Sequence, residues 1–248
     1  TSGQDEWVDN AIGLGTSDTE RQKDALEYIE NLPYDNITVA GHSKGGNKAQ
    51  YVTILSDKID RCISMDGQGF SQEFLDKYYA EIEKKGNCIK NYYLEGDFVS
   101  VLMFPVPGSD QFWQDEEGRW QIRCDVDGNT ILLPGTREDV MAYLHEFTTF
   151  IINVMPEEEK ERAGDYIGYI LALVFAPGAH FELDDKVYTK ENLVECMLSD
   201  PDMLSKVLAY FIKYVETYNV SEDEIRSLAE VLGVTELLGE VEDAAKEH

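Results

Sequence analysis

The stretch Asn36 to Tyr51, NITVAGHSKGGNKAQY, decides the fold. Ile37 to Ala40 is a short β-branched run, Gly41-His42-Ser43-Lys44-Gly45 brackets a serine with glycines, and a helical pattern follows. The order reads as strand, sharp turn and helix, with Ser43 at the tip. A side chain held on so tight a turn has a strained backbone, and the G-x-S-x-G spacing implies that both flanks come too close to neighbouring chain for a Cβ. The motif alone is a weak signal, because glycine and serine are common. The strand before it and the helix after it are the context that it demands.

Working outward, Ser17 and Glu20 have capping-box spacing, and Ala25, Tyr28, Ile29 and Leu32 recur at helical intervals up to Pro33. This predicts a helix over residues 18–31. Beyond Ser43 the pattern predicts a helix over 44–56, whose Gly45, Ala49 and Val52 form a small-residue face able to lie against a sheet. A strand from Arg61 to Met65 ends in Asp66-Gly67-Gln68-Gly69-Phe70, Ser71 caps a helix reaching Lys85, and a strand from Cys88 to Leu94 delivers Gly96-Asp97. Strands separated by helices imply crossovers and a parallel sheet, and such sheets gather ligands at their carboxyl ends. Ser43, Asp66 and Asp97 all fall at such ends.

After Asp97 the pattern loosens. Phe98 to Pro107 reads as an apolar connection, and Arg119 to Cys124 with Thr130 to Leu133 as a β-hairpin. From Thr136 onward the reading is wholly helical, with helices over 137–153, 157–175, 190–198, 201–218, 221–232 and 235–246; Ser221 and Glu224 form another capping box. The expected organisation is a partial α/β core over residues 1–135 and a helical region over 136–248 packed on it.

Composition bounds the function. With 21 basic and 49 acidic residues among 248, the net charge of −28 argues against nucleic acid and anionic membrane as partners. Cys62, Cys88, Cys124 and Cys196 lack C-x-x-C spacing, so neither zinc nor a disulfide framework is implied. Buried free thiols are the expectation, and with no visible signal peptide or transmembrane run they incline the reading toward the cytoplasm.

A serine needs a base to take its proton, usually a histidine oriented by a carboxylate. Asp97 follows the second strand after the serine and fits the chain order serine, acid, histidine; Asp66, in a tight DGQGF turn, is the competing acid. Of four histidines, His42 should point into the sheet region and pack there, and His248 is terminal. His145, on a helix among Tyr143, Leu144 and Phe147, and His180, in the loop GAHFELDD, remain as alternative bases. The backbone N–H of Lys44 would be one oxyanion donor. Its side chain makes no phosphate loop, because the G-x-x-x-x-G-K spacing is absent.

With these residues in hand, the chain resembles the lipase-like α/β-hydrolases related to class 3 lipases, most closely a bacterial Mbeg-like branch. The resemblance rests on ITVAGHSKGGNKAQY at 37–51, RCISMDGQGF at 61–70 and TSGQDEWVDN at 1–10. The last segment is similar to the end of an F-R-G-T-x-x-x-x-E-W-x-D-N signature, which implies that Thr1 lines the oxyanion hole. The resemblance implies a hydrolase-like, mostly parallel sheet whose N-terminal strands are missing here, to be supplied by a preceding segment or another chain. It also implies a serine esterase acting on a small ester or lipid-like substrate without metal or organic cofactor. The family's histidine is expected after the acid and before the helical tail, yet residues 98–136 contain none.

Overall fold

In the computed structural model the β-branched run becomes β1 (Ile37–His42), the first strand of a four-stranded parallel sheet ordered β1-β2-β3-β4. Its partners are β2 (Ile59–Met65), β3 (Ile89–Leu94) and β4 (Ser109–Trp113). The structure describes residues 18–107, 109–113, 123–124, 130–131, 135–137, 139–175, 178–183 and 185–232. The chain divides into two compact units, residues 1–152 and 153–248.

Parallel neighbours cannot be joined by a tight turn, so each pair of strands needs a crossover. Helix α2 (Lys44–Leu55) crosses from β1 to β2, and α3 (Gln72–Lys77) with α4 (Tyr79–Lys85) crosses from β2 to β3. Ser71 caps α3, its Oγ accepting from Phe74 N at 3.2 Å. The single helix expected up to Lys85 is broken at Tyr78, where φ is −109° and ψ 25°. Tyr78, partly buried, packs against the core through its ring on Phe74, while its hydroxyl donates to Asp18.

Helix α1 (Glu20–Glu30) starts two residues later than the sequence spacing implies. The capping box is Thr19 with Gln22, and Ser17 lies outside the described residues. Gln22 does double duty: its Oε1 accepts from Thr19 N at 2.8 Å while its Nε2 donates to Asn47 Oδ1 at 2.7 Å, tying α1 to α2. The core of the first unit lies between these helices and the sheet. Tyr51, Ile54, Ile59, Cys62, Phe74 and Ile89 are each at most 2% exposed, and Phe70 stacks on Phe74 with centroids 4.1 Å apart. Cys62 and Cys196 are free and buried, and burial pushes the Cys62 thiol up to about 11.

Strand β4 was not expected. It pairs in parallel with β3, from Lys90 with Ser109 to Leu94 with Trp113, after a connection that contains no helix. Of the predicted hairpin, β5 (Arg123–Cys124) and β6 (Thr130–Ile131) pair antiparallel, and the rest lies outside the described residues. Helix α5 (Asp139–Val154) follows.

In the second unit, α6 (Glu157–Phe175), α7 (Leu193–Met197), α8 (Pro201–Tyr218) and α9 (Glu222–Leu232) match the expected helices. Ser221 and Glu224 form the anticipated cap, with Glu224 N donating to Ser221 Oγ at 3.3 Å. The helix expected at 235–246 lies outside the described residues. Residues 181–188 depart from the helical reading: β7 (Phe181–Leu183) and β8 (Lys186–Tyr188) form a hairpin, with Asp185 at φ 62°. Strands of three residues are too short to display an alternating pattern. Among the described residues no helix is long and apolar enough to cross a membrane.

Candidate active site

Ser43 joins β1 to α2 at φ 55° and ψ −124°, a combination that costs a non-glycine residue on the order of 1–3 kcal/mol. The backbone around it over-determines that conformation. Ser43 N donates to Met65 O at 2.9 Å, and Asn47 N donates back to Ser43 O at 3.1 Å. A Cβ on Gly41 would fall 2.1 Å from Gly45 O, so that glycine is required by the close approach of the helix start. Gly45 differs from the expectation: a Cβ there would meet nothing within 4 Å. The second indispensable glycine is Gly46, whose Cβ would lie 2.8 Å from Ser64 Oγ and 2.9 Å from Gly67 Cα. The first helical turn carries position 45 outward and position 46 onto β2, so the anticipated small-residue face runs through Gly46 instead.

Asn47 then fixes the neighbouring loop. Its Nδ2 donates to Gln68 O at 3.2 Å and Gly69 O at 2.9 Å, clamping the DGQGF turn to the helix that Ser43 begins. At the head of that turn stands Asp66, at φ 48° and 5% exposed. Its Oδ1 accepts from Leu94 N at 2.8 Å, linking the ends of β2 and β3. Its Oδ2 lies 3.6 Å from His42 Nε2, an ion-pair separation beyond hydrogen-bond length.

His42 was expected to pack into the sheet region, and it does not. Its side chain is 53% exposed and faces Asp66, whose carboxylate, aided by Asp97, raises its pKa above the ordinary imidazole value. The alternation of β1 contains the signal: exposure falls on Thr38, Ala40 and His42, with the intervening residues turned inward.

Asp97 follows β3 and is 2% exposed. Its Oδ1 accepts from Val99 N at 3.1 Å and its Oδ2 from Ser100 N at 2.6 Å, so the carboxylate caps the turn that succeeds it. Burial first, and then the nearby charge of Asp66, pushes its pKa up to about 7. The two carboxylates and His42 thus lie together across the carboxyl ends of three adjacent strands.

The remaining candidates are placed differently. His145, half-buried on α5, has its Nδ1 3.0 Å from Val101 O, and no ion pair joins it to Asp97 among the described residues. Burial lowers its pKa, so the ring is neutral near pH 7. Thr148, one helical turn on, donates from Oγ1 to the same carbonyl at 2.9 Å. His180 belongs to the second unit, where it is exposed with Nδ1 3.2 Å from Gly178 O. Lys44, at the start of α2, is 4% exposed and not solvated. Its N–H lies in the first turn of the helix, where backbone donors have no intrahelical acceptor. Thr1 lies outside the described residues. Among those residues no cluster of His, Cys, Asp and Glu is arranged to hold a metal ion.

No curated protein and no solved structure matches the chain. A family model does, over residues 15–165, a span that contains the Ser43 turn, both carboxylates and His145. A match across more than half of the sequence makes the chain a member of the family described as Mbeg1-like.

Proposed function

We propose that this chain is a serine hydrolase that cleaves an ester or lipid-like acyl substrate through Ser43. The observation that carries the reading is the strained Ser43 backbone at the carboxyl end of a parallel sheet, φ 55° and ψ −124° on a strand-to-helix turn. The serine does not cap the helix it precedes, because its side chain makes no capping hydrogen bond. Strain of this kind is retained where a side chain must be presented.

In this reading Ser43 Oγ attacks the acyl carbonyl carbon while the developing oxyanion is held by Lys44 N–H and by Thr1. His145 takes the serine proton at Nε2 and passes it to the leaving alcohol; a water then repeats the sequence on the acyl-enzyme. Asp97 is the acid of the site. His180 is the alternative base. The chemistry needs neither metal nor organic cofactor.

A second reading, a hydrolase fold retained as a binding or scaffold module, is favoured by one observation: Asp97 spends both oxygens on Val99 and Ser100 and makes no hydrogen bond to an imidazole among the described residues. Turnover of a panel of p-nitrophenyl esters, comparing parent with Ser43→Ala, separates the two. The hydrolase reading expects a loss on the order of 10³-fold or more. A folded parent that hydrolyses no ester above the level of Ser43→Ala favours the binding module.

A further inference from the structure

In a serine triad a carboxylate receives the imidazole Nδ1–H, which fixes the tautomer and leaves Nε2 free to act as base. Here His145 Nδ1 meets a backbone carbonyl, Val101 O, at 3.0 Å. That carbonyl belongs to the turn whose preceding N–H groups, Val99 and Ser100, are held by the Asp97 carboxylate at 3.1 and 2.6 Å. Thr148 Oγ1 donates to the same oxygen at 2.9 Å and also to His145 O at 3.1 Å, locking the helix turn that carries the histidine to the loop that carries the acid. The covalent backbone of residues 99–101 therefore joins the hydrogen bonds of Asp97 at one end to that of the His145 ring at the other.

We infer that Val101 O is the group that orients His145, and that Asp97 is a positioning residue acting through the 97–101 turn, not a direct partner of the imidazole. The inference rests on the reading of Ser43 and His145 as nucleophile and base. A carbonyl accepts only from Nδ1–H, so it selects the tautomer whose Nε2 lone pair is open. It carries no full negative charge, so it orients the ring while favouring the imidazolium less than a carboxylate partner would. The charged groups that act on His145 are Arg137, before α5, and Glu146, the next helix residue; Asp97 is not among them. Proton bookkeeping is unchanged: the Nδ1 proton stays on Nδ1, donated to Val101 O, Nε2 receives the Ser43 proton as the Oγ–C bond forms, and that proton leaves with the alcohol.

The test is ¹⁵N and ¹³C NMR of histidine-labelled full-length protein, titrated from pH 4 to 9, for the parent, Asp97→Asn and Asp97→Ala. The expected parent result is His145 as the Nδ1–H tautomer, titrating below about 6.5, the free imidazole value. In Asp97→Asn, which keeps one of the two acceptor oxygens that cap the turn, the midpoint moves by less than about half a unit, whereas a direct anionic partner would lower it by about 1–3 units on removal. In Asp97→Ala the turn is released, the tautomers mix, the midpoint drifts back toward the free value, and kcat for ester cleavage falls with little change in KM.

An Nε2–H tautomer in the parent overturns the inference and needs no variant. So does a drop of a full unit in Asp97→Asn, or a folded Asp97→Ala whose His145 tautomer and midpoint match the parent. These readouts do not require turnover. An inactive parent with the Nδ1–H tautomer overturns the hydrolase reading and leaves the positioning of His145 intact, whereas an active parent with the wrong tautomer overturns the inference alone.

Discussion

Replacing the three glycines of the elbow by alanine, one at a time, should separate them by several kcal/mol, although Gly41 and Gly45 are the pair that the motif names. In Gly41→Ala the new methyl would sit 2.1 Å from Gly45 O, 2.2 Å from Gly45 C and 2.7 Å from Gly46 N. All three are backbone atoms of the turn that carries Ser43, so relief requires moving the elbow by about 1 Å. Overpacking that side-chain motion cannot absorb costs about 3 kcal/mol or more. In Gly46→Ala one close neighbour is the Ser64 hydroxyl, which can turn, and the other is Gly67 Cα at 2.9 Å, which cannot. About 1–3 kcal/mol is expected there. Gly45→Ala meets nothing within 4 Å and lies in the first turn of α2, so it should be neutral or stabilising by about 0.5–1 kcal/mol through lower unfolded-state entropy. Urea unfolding followed by tryptophan emission is the assay, because Trp113 lies on β4 of the same sheet. With a slope of about 1–3 kcal/mol per molar urea, Gly41→Ala should lower the midpoint by at least about 1 M. A Gly45→Ala variant as damaged as Gly41→Ala, or a Gly41→Ala variant as stable as the parent, would refute the close-approach argument.

Three further outcomes follow from the same geometry. Because burial and Asp66 raise the Asp97 pKa to about 7, the native state binds a proton there that the unfolded chain releases near pH 4. Stability from this group is therefore full below about pH 4 and falls as pH rises toward 7; Asp97→Asn should flatten that slope in urea midpoints measured across the window. Asn47→Ala removes two donors from Gln68 O and Gly69 O and the acceptor of buried Gln22 Nε2, for a loss of about 2–4 kcal/mol by the same assay. At Asp18 burial opposes ionisation, but donors from Lys77, Tyr51 and Tyr78 outweigh it and hold the pKa below the ordinary value. Its contribution is present above about pH 4 and lost as pH falls, so the parent should lose more stability on acidification from pH 5 to 3 than Asp18→Asn does.

The strands at 37, 59 and 89 and the helices between them were legible because each carries its own signal: a β-branched run, a cap, an apolar period. Strand β4 was not, since Ser109-Asp110-Gln111-Phe112-Trp113 has no alternation of its own and exists as a strand through its ladder to β3. The site divides in the same way. Ser43, Asp66 and Asp97 could be placed at one edge by counting strands, and the exposed face of β1 could have put His42 beside Asp66. The role of Gly46 over Gly45 depends on how the first helical turn meets Ser64 and Gly67, a tertiary fact. Val101 O has no sequence signal at all, because a backbone carbonyl is present at every residue and only the docking of α5 selects this one.

The claim on which the functional account turns is that Ser43 is a presented nucleophile. Incubating the folded protein with a fluorophosphonate and locating the adduct by peptide-resolved mass spectrometry tests it most directly. The account predicts a single phosphonyl adduct on Ser43, absent after prior heat denaturation and absent from Ser43→Ala. A folded parent that takes up no label, or that takes it up elsewhere with Ser43 unmodified, would contradict it.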